Sequence, residues 1–525
     1  MGLGKSVFVA VGVGLAARSV MAAEVTGESR APLASPGVAW SRSPPGGLAS
    51  WQVPEFVAIT FDDNFTSGLG DAKGGMTWAT TFMRPLANPA GLAEAGTFDG
   101  SPVRTSFYFT SFYIEGDTMI PQDMQNQLSW RTAYGDGHEP ADHTRLHATG
   151  GALFALAQWI DEIQVCKQTL IDPVKGIGAV PTDIVGFRAP YLAYNANMFA
   201  ALVAQGFLYD TSIASCYDDV EDGTNCAWPY TLDEGSPDAV VFARKFGGPT
   251  IDAYPSFWEA PLSALVVPPD EVATQYQFAP GLRTRIAALG LAFFFYEPAT
   301  AKIQPVDLTM FQNAQMTSAE VTATLMYNLD LHLAGNRAPI VIVAHSHVYA
   351  SNFAAASRAP DYLDRQQAIE KFVAYALTKP VVRMRPVRDI LAWMQAPVAL
   401  KDAVRPEGGL DDARRDDDAP SGASGSGGRA SDGGGAPTNV RTDAGSNAIA
   451  RTAPNGSCSC TMGDKTEKTS CAFFVAVFAF SYLASRASGS ARRSYPLWST
   501  LRRPQCRRPT RRGGRHCAES PAVSP

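Results

Sequence analysis

Two aspartates and two histidines have the residue types and spacing of a hydrolytic metal site. Asp62 and Asp63 end an apolar run, and His143 and His147 stand four residues apart further along the chain. One carboxylate and two imidazoles can hold a divalent ion and leave positions open for water, as catalytic metal sites do. A second carboxylate beside the first is the base that hydrolysis needs. The four residues therefore predict metal-assisted hydrolysis.

Buried strands are predicted directly before several polar residues. Asp62, Arg188 and His345 each follow an apolar run. The active sites of parallel α/β folds collect at the C-terminal ends of strands, so this placement independently supports a shared site. The apolar runs that suit buried strands are Val57–Phe61, Thr105–Phe109, Ile184–Phe187, Val240–Phe242 and Ile340–Ala344.

Helical periodicity fills the intervals between the predicted strands. Thr317 and Glu320 have the spacing of a capping box at the start of one such helix. This alternation of strands and helices predicts an α/β fold with a parallel sheet or barrel. The predicted helices are Leu153–Ile163, Met198–Gln205, Ala319–Ala334 and Asp364–Leu377.

Composition divides the 525 residues into parts. Residues 1–22 have the basic start, short apolar stretch and small residues of an export signal, which predicts a secreted or cell-surface protein. Residues 51–399 form the predicted catalytic body. Residues 400–470 are rich in Gly, Ser and Asp and are expected to be a disordered linker. Residues 471–525 join a short apolar run to a basic end. This tail resembles the C-terminal surface-sorting tails of some Gram-negative bacteria, which would imply cell-surface or membrane association.

Charge and cysteine content bear on the partners of the protein and on its disulfide bonds. The formal net charge of −6 gives no indication of a nucleic-acid partner. In an exported chain, Cys216 and Cys226 are well placed for a local disulfide across a polar loop, whereas Cys166 has no evident partner in the body.

Four short motifs occur in the order found in one family of carbohydrate esterases. They are Thr-Phe-Asp-Asp at Thr60–Asp63, the histidine motif at His143–His147, Arg-Ala-Pro-Tyr at Arg188–Tyr191, and Val-Ala-His at Val343–His345. Over residues 53–394 the chain resembles the NodB-like polysaccharide deacetylases, carbohydrate esterase family four, and within them the chitin-deacetylase-like branch. The resemblance implies a distorted (β/α) barrel. It also implies hydrolysis of N-acetyl groups on an N-acetylated polysaccharide, giving free amine and acetate.

The resemblance implies roles for the residues on the metal side. Asp63, His143 and His147 would hold a divalent ion, with zinc as the first expectation. Because the histidines are four apart, they would share a face of one helical turn. Asp62 would act as general base, and Arg188 would pair with Asp62, orienting it and keeping it ionised.

The resemblance also implies roles for the residues that face the leaving group. His345 would protonate the departing amine, and a carboxylate would raise its pKa and orient it. Asp210 is the candidate for this carboxylate, although its surroundings depart from the family's usual fourth motif. The backbone N–H of Tyr191 would bind the oxyanion, and Tyr191 and Trp258 would contact the glycan.

Two other functions stay open. A hydrolase of another non-peptide amide, such as a cyclic amide, would use the same fold and a similar metal site. A surface glycan-binding protein that has lost turnover belongs to a different class, and the intact set of motif residues argues against it. The glycan itself also stays open among chitin oligomers, peptidoglycan and an exopolysaccharide.

Overall fold

The computed structural model describes residues 37–69, 74–91, 94–115, 121–353 and 359–401. The predicted export signal, nearly all of the predicted linker and the predicted sorting tail lie outside these residues. Among the helices that are described, none combines the length and the apolar character needed to cross a membrane.

Strands and helices alternate along the described chain. The strands are β1 Glu55–Asp62, β2 Ser106–Phe109, β3 Glu139–Asp142, β4 Gly186–Phe187, β5 Tyr209–Asp210, β6 Ala214–Ser215, β7 Tyr230–Leu232, β8 Tyr254–Glu259, β9 Leu262–Ser263, β10 Leu265–Val266, β11 Tyr296–Glu297, β12 Lys302–Ile303, β13 Ile340–His345 and β14 Val382–Met384. The helices are α1 Met76–Met83, α2 Pro121–Gly135, α3 Leu156–Ile171, α4 Ala196–Ala204, α5 Pro237–Phe246, α6 Ala273–Tyr276, α7 Leu282–Ala287, α8 Ser318–Ala334, α9 Tyr362–Leu377 and α10 Val387–Gln395.

The main sheet brings the motifs to one edge. Strand β1 is buried along its whole length and pairs in parallel with β13, β2 and β14. The parallel ladder continues from β2 through β3, β4, β5 and β8, and β7 adds an antiparallel edge strand. In this register Asp62 pairs with His345, and Asp142 pairs with Phe187. Each of these residues belongs to a motif or directly precedes one, so the strand ends gather the motifs as predicted.

The predicted barrel takes an open form among the described strands. The strand order runs from β13 to β7, and no strand pair within the described residues joins these two ends. Val306 forms an isolated parallel bridge with Val343 of β13, and β9 packs beside β13. The predicted α/β class with a parallel sheet is confirmed.

The four predicted helices are present as α3, α4, α8 and α9, with α3 extending to Ile171. The capping box of α8 is confirmed by two hydrogen bonds. The Glu320 backbone N–H donates to Thr317 Oγ1 over 3.3 Å, and the Thr317 N–H donates to the Glu320 carboxylate over 2.8 Å. These bonds satisfy N–H groups that a helix start leaves without intrahelical partners.

One strand prediction is wrong. Residues Val240–Phe242 lie inside helix α5. Ser236 caps this helix by accepting a 3.0 Å hydrogen bond from the Ala239 N–H, and Pro237 at the first helical position favours the helical φ. The start signal for a helix thus outweighs the β-branched composition of the short apolar run.

The predicted local disulfide is present. Cys216 and Cys226 are joined, with their Cα atoms 5.0 Å apart, and both are buried. Cys166 is a free, buried thiol in α3, consistent with its lack of an evident partner in the sequence.

Candidate active site

The three predicted metal ligands follow the ends of strands β1 and β3, which lie on either side of β2 in the parallel sheet. Asp63 follows β1 and has a left-handed backbone with φ 65°, while His143 follows β3 directly. His147 lies in an irregular loop, because Thr144 and His147 also have positive φ values. The prediction of a helical turn for these histidines is therefore wrong. Left-handed residues, and not helical periodicity, bring the imidazoles to one side of the loop.

The ligand atoms of Asp63, His143 and His147 all lie within 4.8 Å of one another. Asp63 Oδ1 is 3.0 Å from His147 Nε2 and 3.6 Å from His143 Nε2. The atom is buried and accepts no hydrogen bond within the described part of the chain, which suits a shared cation better than a shared proton. One carboxylate with two imidazoles is a donor set that fits zinc and similar divalent ions.

Local electrostatics favour a charged carboxylate at Asp63 and a neutral imidazole at His143, which are the forms that bind a cation. Burial raises the pKa of Asp63, but the neighbouring imidazoles, His147 foremost, outweigh burial and hold this pKa well below its usual range. Burial lowers the pKa of His143 to about 4, so its imidazole is neutral at pH 7. His143 Nδ1 lies 2.7 Å from the Arg188 carbonyl oxygen. This contact favours the tautomer with hydrogen on Nδ1 and leaves the Nε2 lone pair for a metal.

Asp62 and Arg188 form the predicted buried pair. Arg188 Nη1 donates to Asp62 Oδ1 over 2.6 Å and to Thr60 Oγ1 over 2.7 Å, and Nε donates to the Thr211 carbonyl over 3.1 Å. The guanidinium also lies 4.3 Å from the ring centre of Tyr108. Burial alone lowers the pKa of Arg188, but Asp62 more than compensates and raises it. Arg188 therefore stays cationic and holds Asp62 beside the metal ligands.

His345 is paired with a carboxylate that the sequence analysis missed. Its Nδ1 lies 2.7 Å from Asp307 Oδ1, and its backbone N–H donates to Asp307 Oδ2 over 2.7 Å. Burial lowers the pKa of His345, but Asp307 outweighs this effect and raises the pKa to about 9. Asp307 caps the short π-helix Leu308–Asn313 and follows Val306, which bridges to β13. The sequence signal was limited to an acidic residue directly after Pro305-Val306.

Asp210 does not occupy the predicted position beside His345. Its carboxylate accepts hydrogen bonds from the Ser212 N–H over 2.9 Å and the Ser212 hydroxyl over 2.8 Å, and it also contacts Glu259. Burial raises the pKa of Asp210 to about 6. The imidazole Nδ1 and the backbone N–H of His345 are both bonded to Asp307 instead. The assignment of Asp210 as the partner of His345 is therefore corrected to Asp307.

The two predicted glycan contacts differ in their placement. Tyr191 lies beside the metal ligands, its ring centre 4.7 Å from that of His147, in a turn with φ 58°. Trp258 is only 1% exposed and packs in the core from strand β8. A side chain covered to this extent cannot meet a polysaccharide, so the prediction of Trp258 as a substrate contact is wrong.

Comparisons with known proteins agree with the motifs. No protein family model matches the chain. Chitin deacetylase 1 of Bombyx mori is 24% identical over 175 residues, which are 33% of this chain and 27% of that protein. The chain thus spans about a quarter of the length of this curated relative.

Three solved structures that are similar to this chain superpose on it at low TM-scores. A protein of Mycobacterium smegmatis assigned to the polysaccharide deacetylases is 16% identical, with 67% of this chain and 94% of that chain covered and a TM-score of 0.37. A family 4 carbohydrate esterase of Streptomyces lividans, solved with acetate, is 19% identical over 30% of this chain and 62% of that chain, with a TM-score of 0.20. A family 4 acetyl xylan esterase of Clostridium thermocellum, solved with a cobalt ion, is 17% identical over 28% and 54%, with a TM-score of 0.18.

The four motifs stand in the order found in the NodB-like polysaccharide deacetylases, carbohydrate esterase family four, which the chain resembles. Part of its length is also similar to a chitin deacetylase. The local geometry of the site indicates which chemistry the chain can perform.

Proposed function

We propose that this protein is a metal-dependent hydrolase that removes N-acetyl groups from an N-acetylated polysaccharide. The observation that carries the proposal is the pairing of β1 with β13. It sets a carboxylate base, Asp62 with its Arg188 partner, opposite a histidine acid, His345 with its Asp307 partner. Base and acid thus stand on neighbouring strand ends, with the metal-ligand cluster beside the base.

Asp63, His143 and His147 would hold the divalent ion, and we assign zinc as the natural one. When bound there, such an ion supplies Lewis acidity, which polarises an acetyl carbonyl and acidifies water. The remaining chemistry belongs to the protein side chains.

Asp62 takes a proton from the attacking water in this proposal. Its carboxylate has one oxygen tied to Arg188, and the other lies 4.0 Å from His143 Nε2, on the side of the metal ligands. The hydrogen bond from Arg188 to Oδ1 fixes the orientation of the Asp62 carboxylate for this step. We assign the oxyanion donor to the backbone N–H of Tyr191, because the Tyr191 ring packs against His147.

His345 gives a proton to the departing nitrogen. An amine is a poor leaving group unless it is protonated, so N-deacetylation needs an acid that is charged at neutral pH. Asp307 supplies that condition by raising the pKa of His345 to about 9. This feature supports an amide substrate, whose leaving group depends on the acid more than an ester's does.

We also propose that the protein is exported and acts at the cell surface or outside the cell. The buried Cys216–Cys226 disulfide supports an oxidising compartment, where such bonds persist. The basic C-terminal tail would provide the surface association.

A substrate panel tests the proposed function. The purified protein with zinc is incubated with N-acetylglucosamine oligomers, acetylated xylan and a cyclic amide, and acetate and free amine are both quantified. We expect equal amounts of acetate and amine from the oligomers. Acetate from xylan alone would identify an esterase, and opening of the cyclic amide alone would identify the other amide chemistry. Hydrolysis of none of them, with zinc bound, would favour a glycan-binding protein.

A further inference from the structure

A fourth imidazole lies in the pocket of the metal ligands. His347 belongs to the 3-10 turn Ser346–Tyr349 that follows β13, two residues after His345. Its side chain is only 12% exposed. Its Nδ1 is buried and makes no hydrogen bond to any residue that the structure describes. A buried polar atom of this kind calls for a role, because leaving it unmatched is unfavourable.

The two oxygens of the Asp63 carboxylate face different histidines. Oδ1 lies 3.0 Å from His147 Nε2 and 3.6 Å from His143 Nε2. Oδ2 lies on the other side, 3.8 Å from His347 Nδ1. A carboxylate can rotate about its terminal bond, so a group at Oδ2 determines whether Oδ1 stays with the ligand histidines.

Aromatic packing fixes the His347 ring in this position. Phe65 stacks on the imidazole with ring centres 4.4 Å apart and an interplanar angle of 24°. Tyr113 packs on Phe65 at 4.9 Å, and Phe353 packs on the imidazole at 5.4 Å. Because Phe65 follows Asp63 by two residues, one short segment carries both the carboxylate and the ring that aligns His347 with it.

We propose that His347 is a positioning residue of the metal site. Its Nδ1–H attracts Oδ2 of Asp63 and thereby keeps Oδ1 directed at His143 and His147. The inference rests on the proposed function, because it requires a metal at Asp63. Partners that orient a metal ligand typically change metal affinity about 10–100-fold when they are removed.

Two substitutions of His347 distinguish the contribution of its Nδ1–H group from the contribution of its aromatic ring. His347→Phe keeps an aromatic ring for Phe65 and removes the donor. His347→Asn keeps an N–H near the position of Nδ1 and removes the ring. Zinc affinity of each metal-free protein is measured by competition with a chromophoric chelator, and thermal unfolding of the metal-free proteins monitors the fold.

We expect His347→Phe to bind zinc about 10–100-fold more weakly than the unchanged protein. His347→Asn should stay within a few-fold of it, even if its unfolding midpoint falls. Wild-type affinity in His347→Phe would overturn the proposal. So would weak binding by His347→Asn with tight binding by His347→Phe, because packing would then be the function of the ring. If His347→Phe does not fold, weak binding by His347→Asn alone overturns it. Failure of the unchanged protein to bind zinc would instead refute the proposed function.

Discussion

Replacing Asp307 by asparagine should remove the charge that keeps His345 protonated. The carbonyl of the introduced amide can still accept a hydrogen bond from Nδ1, so the imidazole retains a partner while it loses the buried anion. The pKa of His345 is raised from 6.5 to about 9, chiefly by Asp307 acting against burial. That rise in pKa corresponds to roughly 3 kcal/mol, because a pKa change of one corresponds to about 1.36 kcal/mol. Without the anion, burial should bring the pKa to about 6.5 or below.

The activity change follows from the protonated fraction. At pH 8, an acid of pKa 9 is about 90% protonated and one of pKa 6.5 about 3%, so Asp307→Asn should lose roughly 30-fold in kcat/KM. At pH 6 the two proteins should differ by less than about twofold, since both acids are then mostly protonated. A bound divalent ion lowers both pKa values, so the difference between the proteins is the quantity to measure.

The assay is acetate release from N-acetylglucosamine oligomers as a function of pH. Asp210→Asn is the matched control, because it changes a second buried aspartate of the site that does not contact His345. The basic limb of the profile should move to lower pH in Asp307→Asn and stay in place in Asp210→Asn. A loss in Asp307→Asn that is the same at every pH, or a shift in Asp210→Asn of equal size, would refute the assignment of Asp307 as the partner of His345.

Two further predictions concern the base and the disulfide. Asp62→Asn should retain metal, as measured by metal content per protein, and lose about 10²–10⁴-fold in rate because the general base is gone. Its free energy of unfolding should fall by about 3–5 kcal/mol, since Arg188 is left buried without its anion, and metal loss would show that the roles of the two aspartates are exchanged. Cys216→Ser should lower the free energy of unfolding in urea by about 2–4 kcal/mol, and an unchanged midpoint would mean that Cys216 and Cys226 are not joined in the purified protein.

The sequence was sufficient for the base side of the site. Asp62, Asp63 and Arg188 lie at the ends of apolar runs, and burial of those runs in a parallel sheet forces their C-terminal ends together. The pairing of Asp62 with Arg188 was implied by the family resemblance of these motifs, and the structure forms it as a 2.6 Å hydrogen bond. The α/β class followed from the same alternation.

The acid side could not be predicted in the same way. Asp307 reaches His345 through the bridge between Val306 and Val343, a tertiary contact without a local pattern. The loop of His147 depends on left-handed residues that no spacing rule indicates. The buried position of Trp258 could not be predicted either, because an aromatic residue near a site looks the same in sequence whether it lines a cleft or fills a core.

Metal-dependent acetate release tests the central claim most directly. The purified protein is stripped with a chelator, assayed on N-acetylglucosamine oligomers, and assayed again after one equivalent of zinc is added. We predict no release from the stripped protein and full recovery with zinc, with one free amine for each acetate. Release that persists without metal, or a protein that binds no zinc at one equivalent, would contradict the assignment of Asp63, His143 and His147 and the mechanism built on them.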